Sequence, residues 1–369
     1  MRRILLWHWG RHGGGPRYTY ELARALARRD DVILHLSYSR QSEFAAEFAG
    51  LALPSLVVDT YATLPQALLG TLSLPLLRRR FAAYLRDQRI DTVVCTMVHL
   101  WNVAVAPVVH QAGARYLLTL HDAVLHPGEE NRVRAFCLAR ELAVTDGVIT
   151  LTRHVRDQFV SLSGYPEERT WILPHGVFSS PGAVPRRHPD GRFRLLFFGR
   201  ILPYKGFDLL LDAYRTLAAR FGDRLSLHVA GKGDLAPFAG ALAGLPNVTI
   251  RNDWIPEPDI PGILAEADLV VLPYREASQS GVVPAAYGAG LPAVVTPIGG
   301  LVEQVVDGVT GRVAAAVSAP AVTEAVADII ERPELYERLS AGALDHAARA
   351  LSWDAIAAGL ASVVEQAHD

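Results

Sequence analysis

The sequence predicts an α/β fold made of two Rossmann-like, doubly wound domains. Short apolar segments alternate with amphipathic segments along most of the 369 residues, which is typical of parallel sheets covered by helices. The alternation stops in a Pro-, Gly- and Arg-rich segment, Ser179–Arg192, and then begins again. Because 50% of the residues are hydrophobic, two large cores can form. We therefore expect an N-terminal domain over residues 1–178 and a second domain over residues 179–350, joined by a hinge.

The predicted strands are short runs rich in β-branched and apolar residues. In the first half they are RILLWHW, DVILHLS, DTVVCTM, RYLLTL, GVITLT and WILP; in the second half they are FRLLFFG, LSLHVAG, NVTIRN, LVVLP, PAVVT and GRVAAA. Segments such as RYTYELARALARR and ENRVRAFCLARELAVTD have apolar residues at helical spacing and predict helices between the strands. Ligands of such folds bind where strand carboxyl ends meet helix N-termini. Two such edges facing each other would form a cleft.

Composition excludes several classes of protein. Lys plus Arg (36) nearly balance Asp plus Glu (38), so binding to nucleic acid is not expected. Cys95 and Cys137 lie in apolar segments without metal-ligand spacing, which predicts buried free thiols in a reducing compartment. The N-terminal apolar run is too short for a signal peptide, and no segment approaches the length of a membrane span. We expect a soluble, cytoplasmic protein.

The first candidate loop, WGRHGGGPRY, follows the first predicted strand. Gly13, Gly14 and Gly15 lack Cβ atoms, so their backbone can approach a ligand and offer amides at a helix start. A mobile turn is the alternative interpretation. The loop does not fit the dinucleotide spacing G-x-G-x-x-G, because Tyr18 occupies the place of the third small residue.

The second candidate loop, FFGRILPYKGFDLLLDAY, begins the second domain. A strand ends at Gly199, and Arg200 and Lys205 flank the turn before the next helix. Two cations beside a helix N-terminus predict a diphosphate site, because a guanidinium binds oxygens in pairs and an ammonium acts as a point charge. Ordinary surface cations are the alternative.

The third candidate loop lies in YREASQSGVVPAAYGAG, between an apolar strand and a helix predicted from Val282 to Ala289. Its small polar residues are Ser278, Gln279, Ser280 and Gly281. Backbone amides at the helix start would bind phosphate or sugar oxygens; a helix cap without a ligand is the alternative. Glu276 is the only carboxylate of the segment, as suits a site for an anion.

The fourth candidate loop is LLTLHDAVLHPGEE. His121 and Asp122 stand at the predicted end of a first-domain strand, and His126 and Glu129 follow in the same loop. A histidine beside a carboxylate at such an edge is a candidate for polar contact or proton transfer. His99, in TMVHLWN, has the same kind of position with less support.

A competing motif is GKGDLA, Gly231–Ala236, which fits G-x-G-x-x-A and has Asp253 about twenty residues later. It would indicate an NAD(P)-dependent oxidoreductase. However, it follows the second strand of its domain, whereas the fingerprint belongs to the first βαβ turn. Pro237 and Gly240 also make the following helix poor.

Taken in order, these motifs resemble glycosyltransferase family 4, whose members are retaining enzymes with the GT-B fold. The matching features are the Gly-rich first loop, HD in the first domain, GR…K opening the second, GKGD, and the late SGV…PAVVT segment with GG, E, V and DG after it. The resemblance covers nearly the whole chain. It implies a hexose-transferring enzyme that uses a nucleotide-sugar donor, in polysaccharide or glycoconjugate biosynthesis.

The resemblance also implies roles for individual residues. Arg200 and Lys205 would bind the donor diphosphate, and His121 would contact the donor sugar near its anomeric carbon. Gly14 and Gly15 would lie near the reaction centre. The other implied donor-binding positions are Gly199, Gly231, Ser278, Gln279, Ser280, Gly281 and Val282. The ending SWDAIA resembles the family's terminal helix, so residues 351–369 would cross back to the first domain.

The third loop departs from the family's usual pattern of two glutamates eight positions apart. Alignment of AAYGAGLP with the family's EAMACGLP places Ala277 and Ala285 at those positions. By resemblance, the second glutamate normally holds the ribose hydroxyls and the first lies by the donor sugar. ASQSGV looks like a serine/glutamine version that some members carry. Glu276 is one residue away from the first position and is an alternative carboxylate.

The predicted reaction needs no metal or other cofactor. The chain has no Asp-x-Asp, the pattern that holds a divalent ion on the diphosphate in the other major glycosyltransferase fold. The acceptor is open: a carbohydrate, a lipid-linked molecule or a small molecule. A non-catalytic sugar-nucleotide-binding protein is an alternative, favoured by the missing glutamates. A basic amphipathic stretch, Pro75–Arg89, suggests contact with the inner face of a membrane; a solvated helix face is the alternative, and a few arginines are ordinary on such a face.

Overall fold

The computed structural model describes residues 1–124, 132–178 and 190–369. These residues form two compact units. Unit 1 contains residues 1–124, 132–175 and 353–369, and unit 2 contains residues 176–178 and 190–352. The predicted linker lies mostly outside the described residues, so the predicted domain limits and the hinge stay predictions.

Unit 1 is built on a seven-stranded sheet in which every neighbouring pair is parallel. Its strands are β1 (Arg2–His8), β2 (Val32–Ser39), β3 (Ser55–Val58), β4 (Thr92–Cys95), β5 (Arg115–Leu120), β6 (Gly147–Thr150) and β7 (Thr170–Ile172), in the order β3-β2-β1-β4-β5-β6-β7. Central strands read as continuous apolar runs because helices cover both faces of the sheet. Six of these strands are predicted from sequence. β3 is not, because SLVV is short and follows directly on Pro54.

The helices of unit 1 before residue 176 cover that sheet. They are α1 (Gly14–Leu26), α2 (Ala45–Gly50), α3 (Leu64–Gly70), α4 (Leu74–Asp87), α5 (Asn102–Val105), α6 (Pro107–Gln111), α7 (Arg132–Leu142) and α8 (Arg153–Ser163). α8 shows how local sequence sets helix limits. The Thr152 hydroxyl accepts a hydrogen bond from the Val155 amide at its start, and Gly164 ends it in a left-handed conformation.

Unit 2 is built on a six-stranded parallel sheet with the order β10-β9-β8-β11-β12-β13. Its strands are β8 (Phe193–Phe198), β9 (Leu225–Ala230), β10 (Val248–Arg251), β11 (Leu269–Leu272), β12 (Ala293–Val295) and β13 (Gly311–Val313). Its helices are α9 (Phe207–Phe221), α10 (Ala239–Leu242), α11 (Ile260–Ala265), α12 (Val282–Gly288), α13 (Leu301–Gln304), α14 (Ala319–Glu331) and α15 (Pro333–Arg349). The predicted α/β class with two Rossmann-like units is confirmed.

The last helix, α16 (Trp353–Gln366), packs within unit 1. The Trp353 ring meets the ring of Tyr18 edge-on, with centroids 5.2 Å apart. The Arg2 guanidinium donates two hydrogen bonds of 3.0 Å to Glu365. These contacts join the C-terminal helix to α1 and β1.

Within the described part of the chain, no single helix is long and apolar enough to cross a membrane. α15 and α16 reach that length and composition only as a pair.

The order of the strands reverses once in each sheet. In unit 1 the reversal lies between β1 and β4, and in unit 2 it lies between β8 and β11. Doubly wound sheets bind ligands at the carboxyl ends of such neighbouring strands, because the outgoing loops diverge there. The residues that follow these four strands therefore define the candidate site in each unit.

Candidate functional site

In unit 2, two glycines allow the ends of β8 and β9 to approach closely. Gly199 has φ +108° and Gly231 has φ +146°, both unfavourable for residues with a side chain. A Cβ atom on Gly231 would lie 2.0 Å from the carbonyl oxygen of Gly199. A parallel bridge joins Ile201 to Gly233 just beyond. Of the two predicted donor-binding glycines, Gly231 is therefore also required by backbone packing, and Gly199 is required by its positive φ.

Lys205 stands at the same edge of the sheet, at the end of a short 3₁₀ turn before α9. Its Nζ lies 3.2 Å from the position that a Cβ of Gly199 would take. It donates a hydrogen bond of 3.2 Å to Oη of Tyr274, and it lies 4.9 Å from the centre of that ring. Val282 Cγ2 is 3.8 Å from the same Gly199 position. The structure thus brings Gly199, Lys205 and the start of α12 together.

The arginines of this edge differ in their surroundings. Arg200 directly follows Gly199, and its side chain is exposed. Arg275 donates two hydrogen bonds of 2.6 Å to the carboxylate of Asp208. That hydrogen bonding lowers the pKa of Asp208. The positive charge of Arg275 is therefore balanced by the Asp208 carboxylate.

The predicted phosphate-binding turn before α12 is held by a residue that the sequence analysis missed. The Ser280 amide donates to Oε1 of Gln304 at 2.7 Å, and Nε2 of Gln304 donates to the Ser280 carbonyl at 3.1 Å. The Ser280 hydroxyl accepts a bond of 3.3 Å from the Val282 amide. A ligand could use the Ser280 amide only by displacing Gln304. The structure ends α12 at Gly288 rather than at Ala289.

The two positions of the family's glutamates are closed to a ligand. Ala277 is 3% exposed and Ala285 is 4% exposed. Glu276 is exposed to solvent, and Ser278 is buried. Gln279 is half-buried, and its Oε1 is buried without a hydrogen-bond partner among the described residues. An unpartnered buried acceptor is unusual. Oε1 of Gln279 could therefore accept a hydrogen bond from a ligand hydroxyl.

In unit 1, the glycine-rich segment is the first turn of α1 rather than a loop before it. Gly13, with φ +89°, is the N-cap, and its amide donates to Glu43 at 2.8 Å. A Cβ on Gly15 would lie 2.8 Å from the ring of His8 and 3.0 Å from Met97. A Cβ on Gly14 would meet nothing within 4 Å. Gly15 is therefore required by packing, whereas Gly14 presents open backbone.

The half-buried His121 follows β5, at the same edge. Its Nε2 lies 3.0 Å from the Thr96 carbonyl oxygen. Because a carbonyl only accepts hydrogen bonds, Nε2 carries a hydrogen. The ring also meets Tyr18 edge-on, with centroids 5.7 Å apart. Asp122 is half-buried beside it. The predicted His126 and Glu129 lie outside the described residues.

His99 belongs to an aromatic group at this edge. Its Nδ1 accepts a hydrogen bond of 3.2 Å from the Trp101 amide, and its ring stacks on Tyr61 with centroids 5.3 Å apart. Burial, and then the charge of Arg11, lower its pKa to about 4. His99 is therefore neutral near pH 7 and suits packing or neutral hydrogen bonding rather than charge.

His8, the last residue of β1, is the main unit 1 residue that sequence reasoning missed. It is completely buried, and its Nδ1 lies 2.9 Å from Oγ1 of Thr96. Burial, with smaller effects from His99 and His121, lowers its pKa to about 3. Its position at a strand carboxyl end was the available signal, but in RILLWHW it has the appearance of an ordinary strand residue.

The competing dinucleotide motif lacks the structure that it requires. After β9, Gly231–Ala236 leads into a 3₁₀ turn at Ala236–Phe238 and the four-residue α10. No long helix follows whose N-terminus could receive a pyrophosphate. The oxidoreductase interpretation is not supported.

In the described ranges, no group of three or more His, Cys, Asp and Glu side chains is arranged to hold a metal ion. Metal independence stays a prediction.

Two family descriptions match most of the chain. Residues 12–179 match Glycosyltransferase Family 4, and residues 192–332 match Glycosyl transferases group 1. Among curated relatives, the D-inositol 3-phosphate glycosyltransferase of Actinosynnema mirum is 30% identical over 290 residues, covering 73% of this chain and 68% of the relative. That of Geodermatophilus obscurus is 32% identical over 277 residues, covering 69% of this chain and 59% of the relative. This chain also spans 60% of the relative from Thermobispora bispora.

A solved structure supports the fold independently. Anabaena Alr3699/HepE, crystallised with UDP-glucose, superimposes with a TM-score of 0.75 at 18% identity, over 99% of this chain and 100% of that one. At this identity the likeness shows the GT-B architecture alone.

Proposed function

Because the chain belongs to glycosyltransferase family 4, we propose that it moves a hexose from a nucleoside diphosphate sugar to an acceptor hydroxyl, with retention of anomeric configuration and without a metal. The observation that carries the proposal is the position of Lys205. Its ammonium is fixed by Tyr274 beside Gly199, where the strand order of unit 2 reverses.

In this proposal, unit 2 binds the donor. Lys205 and Arg200 hold the diphosphate, and the small residues before α12 leave its oxygens room. Negative charge grows on the nucleoside diphosphate as the glycosidic bond breaks. A cation that is already in place stabilises that charge without reorganising, and each such contact supplies about 3 kcal/mol.

The chemical step needs no second carboxylate. The acceptor hydroxyl attacks the anomeric carbon from the face that the diphosphate leaves, and the departing phosphate oxygen takes the hydroxyl proton. Since Ala277 and Ala285 replace the usual glutamates, Gln279 is the proposed partner of a donor-sugar hydroxyl, which it accepts when its half-buried side chain turns the buried Oε1 towards the ligand. Gly14 and His121 of unit 1 contact the transferred sugar in this scheme.

The donor is identified by thermal shift with UDP, GDP, ADP and dTDP, followed by their sugars. A ligand that binds only the folded protein must raise its melting temperature. UDP and GDP come first, because HepE was crystallised with UDP-glucose and one relative is named as GDP-mannose-dependent. D-inositol 3-phosphate is the first acceptor to test, because two relatives are named as D-inositol 3-phosphate glycosyltransferases. Tight donor binding without transfer or donor hydrolysis would favour the non-catalytic alternative.

The role of Lys205 can be observed directly, because the chain contains only two lysines, Lys205 and Lys232. Reductive methylation with ¹³C-formaldehyde gives one NMR signal for each lysine besides the N-terminus, and Lys232→Ala assigns them. The nucleotide that raises the melting temperature most should shift the NMR signal of Lys205. A Lys205 signal that ignores saturating nucleotide contradicts the proposed diphosphate contact.

Lys205→Ala should lower kcat/KM about 100-fold or more while the protein stays folded. Arg215→Ala removes an exposed cation from α9, the helix that follows Lys205, and serves as the control. Near-normal transfer by Lys205→Ala would refute its role.

We also propose a peripheral contact with an anionic membrane, carried by an exposed apolar surface in unit 1. Leu68, Leu69, Leu72 and Leu76 are 72, 69, 82 and 61% exposed. Arg79 and Arg80 follow on α4 and are exposed as well. We call these six residues the leucine–arginine surface. Exposed leucines are expected to enter the interface, and arginines to attract anionic headgroups.

Co-sedimentation with vesicles tests this contact. Binding should require an anionic lipid, fall when salt rises from about 0.1 M to 0.5 M, and be lost in the double variant Leu72→Ser/Leu76→Ser. Leu162→Ser, at another exposed leucine (66%) of unit 1, is the matched control. Equal binding by the double variant and the wild type would contradict the proposal.

A further inference from the structure

We propose that Thr96 is a positioning residue, which fixes the first turn of α1 through its hydroxyl and the ring of His121 through its carbonyl. Thr96 directly follows β4 and is completely buried. Its own amide donates to the Trp7 carbonyl at 3.1 Å, which continues the pairing of β4 with β1. It therefore sits where the strand order of unit 1 reverses.

The directions of the hydrogen bonds around the Thr96 hydroxyl follow from one carbonyl. Thr19 Oγ1 lies 2.8 Å from the carbonyl oxygen of Gly15, so Thr19 donates there. Its one hydrogen is then used. In the 2.7 Å contact between the two threonine hydroxyls, the donor must be Thr96. A contact of 3.5 Å from Thr96 to the Trp7 carbonyl is too long to compete.

The same reasoning sets the tautomer of His8. The Thr96 hydrogen is directed at Thr19, so the 2.9 Å contact with His8 must be a donation from Nδ1 of the ring. His8 is neutral, since burial lowers its pKa to about 3, and Nε2 therefore carries no hydrogen. This Nε2 has no hydrogen-bond partner among the described residues. The hydrogen bonds therefore run in one direction: His8 donates to Thr96, Thr96 donates to Thr19, and Thr19 donates to the Gly15 carbonyl.

This network acts on two parts of the proposed reaction centre at once. It fixes the Gly15 carbonyl, and it holds the His8 ring beside the glycine turn. A Cβ on Gly15 would lie only 2.8 Å from that ring. Meanwhile the Thr96 carbonyl receives Nε2–H of His121. Thr96, directly after β4, therefore sets the relative positions of the Gly14 backbone and the His121 ring. The effect on transfer rests on the proposed function; the network itself does not.

The test compares three variants. Thr96→Val keeps the shape and removes the hydroxyl, whereas Thr96→Ser restores it. Thr92→Val is the matched control, because Thr92 is equally buried at the other end of β4 and its hydroxyl contacts His368 at 2.9 Å. Thr96→Val should lower kcat about tenfold or more, with the donor KM changed less than about threefold, because the network positions reacting groups rather than the nucleotide. Thr96→Ser should recover most of that loss.

Two further measurements judge the network without any turnover. In ¹⁵N-histidine NMR spectra, His8 should be the Nδ1–H tautomer in the wild type and in Thr96→Ser, but not in Thr96→Val. The backbone amides of residues 13–15 and 17–19 should exchange faster in Thr96→Val and be unchanged in Thr92→Val. An Nε2–H tautomer of His8 in the wild type, or wild-type kcat and exchange in Thr96→Val, would overturn the proposal. If no donor is turned over, the proposed function fails alone, and the tautomer and exchange data decide on Thr96.

Discussion

Replacement of the buried Glu141 by glutamine should remove a pH dependence from the stability of unit 1. Glu141 is 0% exposed at the end of α7. Its Oε1 accepts hydrogen bonds from the Tyr116 hydroxyl and from Nδ2 of Asn102, the latter at 2.9 Å. Its Oε2 has no partner among the described residues. Burial raises the pKa of Glu141 to about 7, against the opposing effect of those hydrogen bonds.

The sign of the effect follows from which state holds the proton more tightly. The folded state does, because the pKa rises from 4.5 to about 7 on folding. The stability from this group is fully present below pH 4.5, declines as the pH rises, and is lost above the folded pKa. At about 1.36 kcal/mol per pH unit, the whole effect is about 3.4 kcal/mol, of which about 2.5 kcal/mol disappears between about pH 5 and pH 8.

The assay is urea unfolding of wild type and Glu141→Gln, followed by tryptophan fluorescence. Five of the six tryptophans lie in unit 1, so a Trp254→Phe background makes the signal report that unit alone. The unfolding free energy of Glu141→Gln minus that of the wild type should increase by about 2.5 kcal/mol from about pH 5 to pH 8. Groups that titrate equally in both proteins cancel in this difference.

A suitable control is Glu47→Gln, which removes one carboxylate from an exposed position of the same unit. A Glu141→Gln difference that stays constant within about 0.5 kcal/mol across this pH range would show that Glu141 does not hold its proton more tightly in the folded state.

Three further substitutions test the site. Gly14→Ala should leave the melting temperature nearly unchanged, since its Cβ meets nothing within 4 Å, yet lower sugar transfer about tenfold by blocking the open backbone. Gly15→Ala should instead destabilise the protein by about 1–3 kcal/mol in urea unfolding, because its Cβ would press on His8. Gln304→Leu should raise the Kd for the nucleotide, measured by calorimetry, because loss of the two bonds that hold the Ser280 backbone loosens the turn before α12 by more than the freed Ser280 amide adds to binding; an unchanged or lower Kd would mean that Gln304 does not shape the donor site.

The fold was predictable because its strands are buried and nearly continuous in apolar sequence. FRLLFFG and LSLHVAG each become a strand with close to the predicted limits, β8 and β9. β3 was not predicted, because its four residues form a strand mainly through pairing with β2, such as Leu36 with Ser55. That information lies outside the segment itself. Short strands are determined by their neighbours more than by their own composition.

In unit 2, the sequence indicated which residues reach the strand edge but not what holds them there. Lys205 and Tyr274 are 69 positions apart, and Ser280 and Gln304 are 24 apart. Neither pair forms a motif, because each meeting depends on how two loops leave the sheet. The replaced glutamates were visible from the alignment of one segment, but only the burial of Ala277 shows that such a position is closed to a ligand.

The glycines show why a sequence pattern alone cannot separate structure from function. Gly15 and Gly231 each stand where a Cβ would come within 3 Å of a neighbouring group, so the fold by itself accounts for them. Gly14 and Gly281 have open space there and no positive φ that would require glycine. Gly50, Gly240 and Gly262 share both properties in the helices α2, α10 and α11, so open space alone does not identify a ligand position. What distinguishes Gly14 and Gly281 is that each begins or directly precedes a helix at the ligand-binding edge of its sheet, so the approach of a ligand to the backbone is the stronger explanation at these two positions.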